Sequence, residues 1–251
     1  MTIEIDRRKL IAGLGGGLLL SGCDSWSRSE AVARFLHSSE GLTKGAQRLI
    51  SSDTALAREF SAAEMSPFFR SNGNSTADTP EYRALLANGF ADYRLRVGGL
   101  VEHPLEISLN QLRAMPSRTQ ITRHDCVEGW SAIGQWTGPQ LSHVLDLARL
   151  RDGARYIVFY CADSFDSKPY YESMDLADAY HPQTILAYGM NGEPLPEAHG
   201  APIRVRNERQ LGYKHAKYVM AVEAVASLTT VFDGKGGYWE DVGDYAWYAG
   251  I

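Results

Sequence analysis

Cysteine is scarce in this chain of 251 residues: Cys23, Cys126 and Cys161 stand far apart, with no C-x-x-C spacing. Their number and scatter exclude a disulfide framework, and the absence of further Cys or His at short spacing excludes a structural zinc site. A Cys126–Cys161 bridge in an oxidising compartment, or a plain buried thiol, stays open for those two positions. Long apolar runs are missing as well. Leu10 to Leu20, eleven residues, is too short to cross a bilayer. A formal net charge of −5, with basic residues gathered only near the start and between Arg204 and Lys217, argues against nucleic acid as a partner. No internal repeat is evident, and the length suits one large domain.

The first 23 residues read as an export signal. Arg7, Arg8 and Lys9 form a charged region ahead of the apolar run, and Leu20-Ser21-Gly22-Cys23 resembles a bacterial lipobox. Cys23 is then the first, lipidated residue of the mature chain. Arg7-Arg8 resembles a twin-arginine signal, which exports folded proteins, although Asp6 and Leu10-Ile11 depart from its usual pattern. Asp24 resembles an inner-membrane retention signal. The expected location is the bacterial periplasm, with membrane attachment through the lipid anchor alone.

Residues 24–63 read as a polar tether with helical stretches at Ala31–Leu36 and Ala55–Phe60, and residues 64–251 as the functional domain. Ser71-Asn72-Gly73-Asn74-Ser75 is turn-rich. Strands are expected at Tyr93–Val97, Thr119–Arg123, Tyr156–Tyr160, Ile185–Tyr188, Ile203–Arg206 and Tyr218–Val225. Ser108 suits the N-cap of a helix through Met115, and Gly138–Leu150 reads as an amphipathic helix. The class is α+β, with mixed sheets and helices and with loops carrying the unusual chemistry.

Two segments carry that chemistry. Arg123-His124-Asp125-Cys126-Val127-Glu128-Gly129-Trp130 sets a lone thiol among charged neighbours, which suits a soft metal ligand or a nucleophile. Between His199 and Lys217, seven basic or imidazole groups fall within nineteen residues. They call either for a bound anion such as a phosphate, or for a solvated face paired with acids such as Glu208.

Together these motifs resemble the sulfite oxidase family of molybdopterin oxidoreductases, nearest its protein-methionine-sulfoxide reductase branch. The resemblance rests on Cys126-Val127-Glu128-Gly129-Trp130-Ser131 with Trp136-x-Gly138, on His199-Gly200-Ala201-Pro202-x-Arg204, and on Gly212-Tyr213-Lys214-x-x-Lys217. It covers roughly residues 65–228 and implies molybdenum held by Cys126 beside the dithiolene of one molybdopterin. It implies pterin contacts from Arg70, Asn72, Cys161, Asp163, His199, Arg204, His215, Ala216 and Lys217. It gives Glu128 the place of a carboxylate facing the site, against an ordinary salt bridge to Arg123.

The immunoglobulin-like dimerisation domain typical of sulfite oxidases is not expected here, which favours a monomer. No His-Pro-Gly-Gly haem motif occurs. Electrons are therefore expected to pass to or from a separate partner, a haem membrane protein or a cytochrome. Cys-Val-Glu-Gly-Trp departs from the Cys-Ala-Gly-Asn of true sulfite oxidases. The leading expectation is two-electron oxo-transfer, reducing an S-oxide or N-oxide carried by a small molecule or a protein. Sulfite oxidation is the alternative. Two others are a non-catalytic anion-binding lipoprotein and a cysteine hydrolase pairing Cys126 with His124 or His199. The aromatic tail from Gly236 to Ile251 is expected to cover a core edge or to rim the substrate funnel.

Overall fold

The computed structural model describes residues 41–49, 52 and 54–251. It divides into two units, Met1–Ile50 and Ser51–Ile251. In the first, residues 41–49 are helical. The signal segment with Cys23, and the helix expected at Ala31–Leu36, lie outside the described residues. The second unit carries the site described below.

Its first sheet follows from one alternating segment. Along β1 (Arg94–Gly99), Leu95 and Val97 are buried while Arg94 and Arg96 face out, the period of a strand with one face on a core. β1 pairs antiparallel with β2 (Leu105–Ser108) and parallel with β11 (Val219–Val225). β5 (Tyr156–Phe165) and β6 (Lys168–Asp175) complete the order β2-β1-β11-β5-β6. A four-stranded sheet runs β3 (Ser117–Asp125), β4 (Ser131–Pro139), β8 (Gly189–Met190) and β9 (Glu193–Pro194). β7 (Ile185–Ala187) and β10 (Arg204–Arg206) form a separate antiparallel pair.

Helices close the main core. Thr79 caps the helix Pro80–Ala87 through its side chain, and Ser108 caps Leu109–Ala114 in a reciprocal box with Gln111. The helix Leu141–Ala148 buries Leu141, Val144, Leu145 and Ala148, its i, i+3, i+4 face. Each large aliphatic side chain so buried contributes about 1.5–3 kcal/mol, and Leu145→Ala would cost roughly 2–5 kcal/mol. Gly138 and Pro139, expected to start this helix, instead end β4.

Two other expectations are corrected. Ala55–Phe60 is not helical: Glu59 bridges Thr122, and Phe60 N–H donates to the Ile121 carbonyl at 2.9 Å. The edge of β3 supplies backbone partners there, and the Gln183 amide fixes Ala57 through both its N–H and its C=O. β3 and β5 extend beyond the short strands expected, and β4 and β6 were not anticipated at all.

Candidate functional site

β3 delivers Cys126 onto a tight turn. Cys126 N–H donates to the Trp130 carbonyl at 2.9 Å, and Gly129 N–H returns to the Cys126 carbonyl at 3.0 Å. Gly129 has φ 85°, the left-handed region that glycine enters without steric cost. Burial pushes the Cys126 thiol up, and the Glu128 carboxylate adds to the rise. Backbone N–H groups of Glu128 and Val127 bond to the sulfur and, with the charge of Arg70, pull the other way. No imidazole is among these groups. His124 is fully buried with Nδ1 accepting from Arg206 at 3.0 Å, and the His199 ring packs edge-on against Phe69 at 5.6 Å. Neither His124 nor His199 is among the groups that act on the Cys126 thiol, which does not favour either pairing as a cysteine hydrolase.

The sulfur opens onto a cleft of about 150 Å³. Val127 and Glu128 line it on the Cys126 side, Asn72, Gly73 and Asn74 on another, with Asp163 and Phe165 from β5 and Tyr170 from β6. Gly212, Tyr213, His215 and Lys217 contribute from the basic segment, and Trp239 and Tyr245 from the tail. Glu128 accepts from Trp130 Nε1 at 2.9 Å, whereas Arg123 pairs with Asp125 at 2.9 Å. The alternative bridge between Arg123 and Glu128 is not the one formed.

The basic segment is not a solvated face. Arg204, Arg206, Lys214, His215 and Lys217 are all buried, and most have a partner within the fold. Arg206 pairs with Glu208 at 2.5 Å. Lys214 sits between Glu172, at 2.5 Å, and Glu240. Lys217 donates to the carbonyls of Asn72 at 2.8 Å, Ala198 at 2.9 Å, and Asn74. Only Glu208, among these acids, was foreseen. The expectation of one anion for the whole cluster thus narrows to the unit around Arg204.

There the guanidinium, fully buried, bonds only to the carbonyls of His199 at 3.1 Å and His215 at 3.3 Å, with Nε unpartnered. Its carbon lies 5.0 Å from the Trp136 ring centre. Burial and the neighbouring Arg206 push its pKa down to about 9. His215 Nε2 faces two carbonyls, Asn207 at 2.7 Å and Gln210 at 3.1 Å, so it carries the proton. Its Nδ1 is then a bare acceptor, buried and unpartnered, and burial with Arg206 and Arg204 holds the ring neutral. His199 Nδ1 is equally orphaned, and its pKa is pushed down to about 4 by burial, then by Arg204 and Lys217. Asp163 keeps one oxygen on Asn74 at 3.0 Å and leaves Oδ1 without a partner. Burial raises its pKa to about 6.

Of the residues expected to bind pterin, Asn72, Asp163, His215 and Lys217 line the cleft, while His199 and Arg204 sit against them. Arg70 is exposed and reaches the site through its charge on Cys126. Ala216 and Cys161 do not line the cleft. The Ala216 side chain belongs to the main core while its carbonyl accepts from Val205, and Cys161 packs between two core clusters. Both Cys126 and Cys161 are free, so no bridge joins them. The rings of Phe165, Tyr170, Trp239 and Tyr245 were missed as cleft residues; the aromatic density of the tail was the only signal for any of them. The tail covers a core edge, since Tyr238 enters a core cluster, and Trp239 also faces the cleft.

The donor set fits a molybdenum pterin. Orphaned acceptors and donors of His199, Arg204, His215 and Asp163 cluster where a heteroatom-rich, anionic group would satisfy them. Among the described residues no group of three or more His, Cys, Asp or Glu could hold a metal by itself. A metal here would have Cys126 as its protein ligand and depend on sulfur donors of its own cofactor, and binding would deprotonate the thiol that burial otherwise protects.

Comparison with known proteins agrees. The family described as "oxidoreductase molybdopterin binding domain" matches residues 82–231. A protein of Azospira oryzae, provisionally named protein-methionine-sulfoxide reductase subunit YedZ1, is 43% identical over 160 residues, 64% of this chain and 56% of its own length. The protein-methionine-sulfoxide reductase catalytic subunit MsrP of Xanthomonas axonopodis pv. citri is 32% identical over 164 residues, 61% of this chain and 51% of that protein. The chain thus spans about half the length of the curated relatives it matches. Among solved structures, the sulfane dehydrogenase SoxCD of Paracoccus pantotrophus shares the fold with TM-score 0.50 and 24% identity, covering 55% of this chain and 39% of that one. This chain belongs to the molybdopterin-binding oxidoreductase domain family, and its cofactor is molybdopterin with molybdenum.

Proposed function

We propose that the chain reduces a neutral S-oxide. The observation that carries this reading is the charge of the cleft. Its one lining cation, Lys217, has its ammonium committed to three carbonyls, while Glu128 stands beside Cys126. Aromatic rings form much of the remaining wall. An anionic substrate such as sulfite would be repelled by Glu128, with only the exposed Arg70 charge to offset it, whereas a neutral sulfoxide meets no such repulsion. Two relatives are named as protein-methionine-sulfoxide reductase subunits, which supports the same direction.

The bound cofactor supplies two-electron oxo-transfer chemistry. The sulfoxide takes up two electrons and two protons, its sulfur–oxygen bond breaks, and sulfide and water leave. The protein's own tasks are separate. Cys126 holds the metal; His199, Arg204, His215, Asp163 and Asn72 hold the pterin and its phosphate, Lys217 fixes the loop that carries Asn72, and the rings exclude water. Electrons come from a separate chain, a haem membrane protein or cytochrome. The Arg7-Arg8 and Leu20–Cys23 signals support export of the folded, loaded protein and anchoring by lipid at Cys23 on the periplasmic face of the inner membrane.

The test is turnover by the molybdenum-loaded chain. With a reduced dye as donor, sulfoxides should be reduced; with an oxidised acceptor, sulfite should not be oxidised at a comparable kcat/KM. Efficient sulfite oxidation and no sulfoxide reduction would reverse the reading.

A further inference from the structure

The residues matched by the family end at 231, yet two rings of the cleft wall, Trp239 and Tyr245, come from beyond that point. They form one surface. Trp239 stacks on Tyr245 with centroids 5.7 Å apart and planes at 25°, Phe165 packs on Trp239 at 5.4 Å, and Tyr213 meets Tyr245 edge-on at 5.1 Å. The helix Tyr238–Gly243 that carries Trp239 is fixed from both ends. Before it, the Ser173 hydroxyl donates to the Gly236 carbonyl; within it, Glu240 accepts from buried Lys214. After it, the Tyr213 hydroxyl donates to the Ala246 carbonyl at 2.6 Å, Trp247 Nε1 donates to Ser173 Oγ at 2.8 Å, and Gly250 bridges Gln210. The wall is held, not hinged. Glu240, the nearest charge on that helix, is turned into the buried pair with Lys214, so this wall offers ring faces and no charge.

We propose that Trp239 and Tyr245 are the specificity-determining subsite for the organic part of a neutral sulfoxide, an aryl or extended alkyl group on its sulfur. The proposal rests on the S-oxide reading above. Rings fixed in advance bind apolar groups with little ordering cost, and sulfur makes favourable contacts with aromatic edges. The atoms that want polar partners belong to His199, Arg204, His215 and Asp163 instead, so the cofactor and the organic group have separate claims on the cleft.

The experiment compares kcat/KM for methyl phenyl sulfoxide and for dimethyl sulfoxide, with reduced dye, in the molybdenum-loaded full chain and its variants. In Trp239→Ala the ratio of the two values should fall about five- to tenfold, the loss of one ring contact, chiefly through KM of the aryl substrate. Trp239→Phe should retain much of the ratio. Tyr245→Leu keeps apolar bulk and should also lower the ratio, which decides the matter if Trp239→Ala fails to fold. An unmoved ratio in folded, loaded variants overturns the subsite. So does loss of molybdopterin from Trp239→Ala, which would put the ring on the cofactor. A wild type that reduces neither sulfoxide overturns the activity reading and the subsite with it, whereas reduction of both with an unmoved ratio overturns the subsite alone.

Discussion

The Lys217 ammonium lies 2.8 Å from the backbone carbonyl oxygen of Asn72, joining the segment before β11 to the loop that walls the cleft. The same nitrogen reaches the carbonyls of Asn74 and Ala198, and the Tyr218 hydroxyl donates to Asn74 O at 2.9 Å. Lys217 therefore shapes the cofactor cleft as well as charging it. Lys217→Met removes the cation and leaves three carbonyls without it, at a cost of about 1.5–3 kcal/mol to the apo-protein. Urea midpoints measure that loss, and molybdopterin content of the loaded protein should fall with it. Full stability in the variant would contradict this role.

Lys214 has a different task. It is buried between Glu172 and Glu240, and burial with the Glu240 charge pushes the Glu172 carboxyl well up. Lys214→Met would strand those groups and cost about 3–5 kcal/mol. Adding Glu240→Gln should recover part of that loss, since the two sites share one network. Unfolding by urea of the single and double variants checks both statements. Additive losses would show that the ion pair does not hold the tail.

His199 sets a pH dependence. Its pKa falls from 6.5 to about 4 on folding, through burial first and then Arg204 and Lys217. Between these values the unfolded chain binds the proton and the fold does not, so stability is lost as pH falls through the window. Asp163, raised from 3.8 to about 6 by burial, acts with the opposite sign between its own two values. His199→Gln deletes only the first effect. The apo-variant should therefore lose less stability than the apo-wild type between pH 6.5 and pH 4, as read from urea midpoints. Equal losses would mean that His199 is not held neutral.

The sequence was legible where local chemistry decides the outcome. Ser108 announces its N-cap, Leu95 and Val97 alternate with arginines, and the Cys126 and Arg204 motifs stand out by residue type. It was opaque where distant backbone decides. β4 carries Gly134 and Gly138, weak strand formers, yet these positions need glycine: a Cβ at Gly134 would sit 3.0 Å from the Phe69 ring, and one at Gly138 would strike the Leu186 carbonyl. β6 reads as polar because Glu172 belongs to Lys214, forty-two positions later in the chain. The partners of the basic segment were hidden likewise. Nothing local to Lys214 or Lys217 announces Glu240 or the Asn72 carbonyl.

The metal content of Cys126→Ser, set against the wild type purified after expression with intact cofactor synthesis, tests the central claim most directly. The wild type should carry equimolar molybdenum with a molybdenum electron paramagnetic resonance signal in its partly reduced form. The variant should lose that signal's thiolate character and all sulfoxide reduction, while pterin is still retained around Arg204. Wild-type protein without molybdenum, or a Cys126→Ser variant with unchanged spectrum and turnover, would contradict the account.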